Sequence, residues 1–209
     1  MDWAERANAA IERYEGGETR ELDQRQLTQL GNAAWAAGLS LLMAGRSDHA
    51  AEWLRRAAER YRESWADAPP DSWGRPIAAM KALLLAGDDA SDAARWALDA
   101  GAATAESPIG RYAGTLALLV LGDDVGARIL GTTLRDTADF PPAVADALVE
   151  VAGADRVDYQ IALENILESF EQRTDFLEDT PVADTVLVLQ RLAAARDLAV
   201  ELAPSAVLP

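Results

Sequence analysis

The 209-residue chain contains no cysteine. Disulfide frameworks and thiolate metal sites are therefore excluded. Histidine occurs once, at His49, beside the start of a helical pattern. A triad or proton relay built on that single imidazole has no identifiable partner residues. Lysine also occurs once, at Lys81, against 18 arginines. Valine and isoleucine are sparse, and no long stretch alternates apolar with polar residues, so strands are not expected. The longest aliphatic runs, such as 116–121, fall far short of the ~20 residues that span a bilayer. The opening residues Met1-Asp2-Trp3-Ala4-Glu5 show neither the basic region nor the apolar run of a secretory signal, so a cytoplasmic location is expected. HExxH, CxxC, a P-loop lysine and the Rossmann glycine pattern are all missing. No catalytic, cofactor-binding or metal-ligating residue is assigned, and no enzyme is expected.

Alanine, by contrast, is abundant: 44 residues, about a fifth of the chain. It is the strongest helix former because its side chain loses no rotamer freedom. The expected class is all-α. Net charge is −16 and unevenly spread: residues 136–209 hold 15 acids against 4 bases, residues 1–135 hold 20 against 15. Such a chain repels phosphate backbones and anionic membranes, so neither is an expected partner. Acid excess with almost no lysine is also the composition of salt-adapted proteins, which leaves two explanations for the acidity.

The chain repeats itself. SWGRPIAAMKALLLAGDD (72–89) returns as SPIGRYAGTLALLVLGDD (107–124), and a copy upstream ends at Ala44-Gly45. A fainter fourth ends at Val151-Ala152-Gly153. Each copy reads as an Ala/Leu helix ended by a glycine in the left-handed conformation. An aspartate or serine is then expected to cap a second helix. Turns this short make the two helices antiparallel neighbours. Proline marks the connectors at Pro69-Pro70, Pro76, Pro108 and Pro141-Pro142, where helix first turns tolerate it.

Residues Ala37, Gly38, Leu41, Gly45, Ala50, Leu54 and Ala57 have the spacing of the tetratricopeptide (TPR) signature. Over residues 26–170 the chain resembles that family, whose unit is a helix–turn–helix. Later copies depart from it: the second needs an insertion before Ala93, and the third has Gly131 at a large-residue position. The resemblance implies a TPR-like α-α superhelix of three to four antiparallel hairpins with flanking helices, acting as a protein-binding module. One domain, 1–209, is expected: an N-terminal cap (1–25), the hairpins (26–170), and a closing helix with tail (171–209). The ending, from Val182 to Pro209, is similar to the closing helix and tail of small helical toxin-immunity proteins, which implies an acidic face covering a basic toxin.

Two places stand out as partner-binding candidates. Glu164, Glu168, Glu171, Asp175 and Glu178 recur at steps of 4, 3, 4 and 3, so one continuous helix would align them on a single face. Leu163, Ile166, Leu167, Phe170 and Leu177 would be its buried side. The strip is either solvated surface or a docking site for a basic partner. Trp73 and Arg75 lie in a proline-rich connector and have the composition of a binding hot spot; alternatively, Trp73 folds back and staples the helix start. Arg111 and Tyr112 sit at the equivalent edge of the next copy. The Gly-Asp-Asp repeats at 87–89 and 122–124 read as caps rather than metal ligands. The functional expectation is a non-enzymatic protein-binding module. A helical protein with a small-molecule or catalytic pocket between hairpins and a self-associating subunit are the alternatives.

Overall fold

The computed structural model describes residues 2–18 and 21–209, and among them every regular element is helical. Helix α1 (Trp3–Gly17) is capped by Asp2, which accepts from the amide of Ala4 at 2.9 Å. Helix α2 (Gln24–Met43) begins with a reciprocal capping box between Asp23 and Gln26, which satisfies two free N-terminal donors at once. Then follow α3 (Ser47–Glu63), α4 (Gly74–Ala86), α5 (Ser91–Asp99), α6 (Pro108–Leu121), α7 (Asp124–Arg135), α8 (Pro142–Gly153), α9 (Arg156–Glu171) and α10 (Asp184–Ala194). Short 3₁₀ turns occupy Ala102–Thr104 and Leu177–Asp179.

Four helix pairs, α2/α3, α4/α5, α6/α7 and α8/α9, are joined by tight turns, and successive pairs pack through α3 on α4, α5 on α6 and α7 on α8. Gly45, Gly87 and Gly122 hold φ of 71°, 79° and 77°, as the sequence predicts. The fourth turn differs by one residue: Gly153 stays helical and Ala154 takes the left-handed place at φ 57°. Expected caps are only partly realised. Asp123 accepts from Gly126 N at 2.9 Å, but α3 and α5 start without a side-chain cap. The longer turn before α5 moves Asp89 outside the cap position, where it accepts from Ser91 N, and Asp88 instead binds Arg55 of α3 at 2.6 Å. Pro108 and Pro142 occupy first-turn positions as predicted.

Small residues set the spacing between helices. A Cβ on Gly38 would lie 2.7 Å from Leu54 Cγ and 3.3 Å from the Leu54 backbone nitrogen. The α2/α3 contact is therefore too close for any larger side chain. The core runs through every pair, and its largest fully buried side chains include Leu41, Leu54, Met80, Leu116, Leu148 and Tyr159.

The chain after α9 departs from expectation. The predicted helix through Glu178 stops at Glu171, with Gln172 at its C-cap. Asp175 and Glu178 thus leave the α9 face, and Leu177, expected inside, is 54% exposed. Phe176 instead turns back so that its ring lies 6.2 Å from Phe170, with Arg173 stacked 4.2 Å above Phe170. This packing outweighs the weak helical preference of the Arg173-Thr174-Asp175 stretch. The closing helix expected within 171–209 is α10, followed by a turn with Asp197 at φ 57°.

Helix α10 does not extend the row of pairs. It lies against α4, α8 and α9, and the 3₁₀ turn before it lies against α2. Polar ties hold this return. Arg13 pairs with Glu178 at 3.2 Å, and Arg6 donates to the Asp179 carbonyl. Arg196 reaches the Leu119 carbonyl at 2.7 Å and Asp124 at 2.9 Å. Tyr159 donates to Gln190 at 3.1 Å.

Candidate functional site

Helix α4 contains one charge within the apolar run Ile77–Ala86: Lys81. An ammonium there must find anionic or polar company, because burying it alone costs several kcal/mol. The returning C-terminal segment supplies it. Lys81 Nζ lies 2.6 Å from Asp184 Oδ2 and 3.0 Å from Thr185 Oγ1. Their side chains are only 11% and 19% exposed. Burial pulls the ammonium down, but Asp184 and Tyr112 outweigh it and hold Lys81 above its ordinary pKa.

This pair forms the floor of a cavity of about 880 Å³. Trp35 and Leu39 from α2, Tyr112 from α6, and Ile166 and Phe170 from α9 form its walls. Residues 139–144, running from the connector into α8, line one side and the 175–185 segment another. Phe140 and Tyr112 rings lie 5.6 Å apart across that corner. Burial raises the Tyr112 phenol, with Lys81 opposing. Among the described residues its hydroxyl has no hydrogen-bond partner.

The outer helices present a different surface. Val125 and Ile129 on α7 are 73% and 66% exposed, and Val157 and Ile161 on α9 are 68% and 53% exposed. Each pair is spaced four residues apart, so each forms one outward stripe. On α9 the stripe continues into Glu164 and Glu168, both exposed.

The residues singled out from sequence separate into distinct environments. Trp73 is 6% exposed, and its indole N–H donates to Asp71 at 3.1 Å. Its ring sits 6.1 Å from Trp65, which in turn meets Trp96 at 5.4 Å. Trp73 is thus a staple of the α4 start and offers no hot spot. Arg75 is buried and donates to Gln24 and to Thr28 at 3.3 Å; burial lowers its pKa. Arg111 donates to the Thr133 carbonyl at 3.1 Å and to Thr137 at 3.2 Å, tying α6 to α7. Tyr112 lies in the cavity wall. Glu164, Glu168 and Glu171 share the exposed α9 face, and Glu171 accepts from Ser205 at 2.6 Å. Asp175 stands on the cavity rim, while Glu178 is spent on Arg13. His49 is exposed in the first turn of α3.

Sequence reasoning missed the Lys81–Asp184 floor and the four exposed aliphatics. A sole lysine inside an apolar helix run was a readable signal for the first. One acidic trio among the described residues, Glu150, Asp155 and Asp158, brings ligand atoms within 4.8 Å of one another. Asp155 caps α9 and Glu150 binds Arg135, so both have structural roles already. No protein-family model, curated protein or solved structure matches the chain.

Proposed function

We propose that this chain is a non-enzymatic, TPR-like protein-binding scaffold that docks a partner with a basic, partly apolar surface. The observation that carries the reading is the outward face of α7 and α9. There Val125, Ile129, Val157 and Ile161 remain exposed beside Glu164 and Glu168. Exposed aliphatics in a stripe on each helix, running on α9 into like charges, have the composition of an interaction surface: apolar contact supplies affinity, and the carboxylates steer a cationic partner. Four helix pairs in sequence, with the Gly38–Leu54 approach at the best-matching copy, support the TPR-like reading. Neutralising a basic toxin by covering it is one form such docking takes, in keeping with the C-terminal resemblance.

The test is affinity capture from the source cells with the natural chain and with Glu164→Lys/Glu168→Lys/Glu171→Lys. All three carboxylates are exposed, so the variant is expected to fold. A basic protein retained by the natural chain and released by the variant supports docking. Equal retention of every captured protein by both defeats it. Ile161→Asp gives an independent second arm, expected to weaken the same interaction.

A further inference from the structure

We infer that the cavity between α2, α4, α6, α9 and the C-terminal segment binds an uncharged, mostly apolar molecule bearing one hydrogen-bond-accepting head group, a hydroxyl or a carbonyl. This site is separate from the outer face of α7 and α9 and stands without it.

The argument begins with size and lining. About 880 Å³ lies within the range that holds a drug-sized ligand, and such sites combine mostly apolar walls with few polar groups. Trp35, Leu39, Phe140, Ile166 and Phe170 supply those walls. At the floor, donors are left over. An ammonium has three donors. Lys81 uses two, on Asp184 and Thr185, which leaves one N–H. The Tyr112 hydroxyl, beside it in the lining, is unpaired among the described residues. Two donors thus await an acceptor.

Charge balance then selects the head group. Lys81 and Asp184 neutralise each other at 2.6 Å. A carboxylate head would approach Lys81 only by also approaching Asp184, in a site where burial magnifies the repulsion. An ammonium head would face Lys81 and two donors. A neutral acceptor meets neither penalty. The rim is no better for anions: the lining there holds Arg173 against two carboxylates, Asp139 and Asp175.

Four probes sharing a ten-carbon chain test this by isothermal titration calorimetry on the full chain: decanol, methyl decanoate, decanoate and decylamine. Decanol and methyl decanoate are expected to bind with one-to-one stoichiometry, and decanoate and decylamine at least about tenfold more weakly. Tyr112→Phe keeps the ring and removes the hydroxyl. It is expected to weaken decanol about three- to tenfold. Ala143→Trp, at the cavity edge, is expected to abolish binding while thermal unfolding stays cooperative. Glu164→Lys, on the outer face, is expected to leave decanol binding unchanged, which separates this site from the docking surface. No heat with either neutral probe overturns the inference. So does decanoate or decylamine binding as tightly as decanol, or unchanged decanol affinity in Tyr112→Phe. Undiminished binding to Ala143→Trp overturns the location.

Discussion

At the scale of single residues, the four hairpin turns form a natural comparison. Three place glycine in the left-handed region, and the fourth places Ala154 there with φ 57° and ψ 30°. A Cβ in that conformation crowds the following carbonyl at a cost of about 1–2 kcal/mol. Glycine removes the clash but loses more freedom on folding, about 0.5–1 kcal/mol. Ala154→Gly is therefore expected to stabilise the chain by roughly 0.5–1 kcal/mol, read as a higher urea midpoint with unchanged slope. An unchanged or lower midpoint would mean that the turn is not strained. The same residue shows how local the sequence signal is. Gly153 looked like the fourth turn because glycine is the usual terminator. The structure uses the next residue, since Asp155 is the one that caps α9 by accepting from Val157 at 3.1 Å.

At the scale of elements, what holds the C-terminal segment against α4 is the most consequential question. Lys81 and Asp184 are both mostly buried, and removing one charge leaves the other without its counterion. Lys81→Met should cost about 3 kcal/mol. Asp184→Leu added to it should recover most of that loss, because an apolar pair of similar volume suits the apolar cavity walls. A double-mutant cycle by chemical denaturation checks this; losses that simply add would show that the pair does not couple α10 to α4. The pairing also marks where sequence reading stops. The helix pairs were legible because proline starts and glycine stops act within a few residues. The return of the 172–209 stretch was not, because it depends on contacts such as Lys81 with Asp184, which lie 103 positions apart. The acidic periodicity through Glu178 suggested one long helix, and Phe176 packing on Phe170 overrode it. Arg75 looked like an exposed binding residue for the same reason: composition does not show that Thr28 and Gln24 of α2 lie within its reach, or that Trp73 packs on Trp65.

At the scale of the whole molecule, charge and burial act together in alkaline solution. All four tyrosines, Tyr14, Tyr61, Tyr112 and Tyr159, have raised pKa values, with burial the leading cause in each. Lys81 is raised too, as Asp184 and Tyr112 outweigh its burial. The unfolded phenol and amine titrate at about 10 and 10.4. Below those values both states are protonated and the stabilisation is complete. Above them the unfolded chain releases protons that the folded chain retains, so stability falls as pH climbs toward the folded values. The expected result is a steep loss above about pH 10, with phenolate absorbance appearing only in step with loss of helical circular dichroism. A net charge of −16 would by itself produce some alkaline weakening through self-repulsion. Salt separates the two causes. At 1 M the screening length falls to about 3 Å, which suppresses repulsion between distant surface charges but scarcely touches protons held in the core. If buried tyrosines and Lys81 govern the loss, the transition persists at high salt with phenolate still tied to unfolding. If phenolate instead appears gradually while the helices remain intact, the four rings are not shut away from solvent, and the burial of Tyr61 and Tyr159 is wrong.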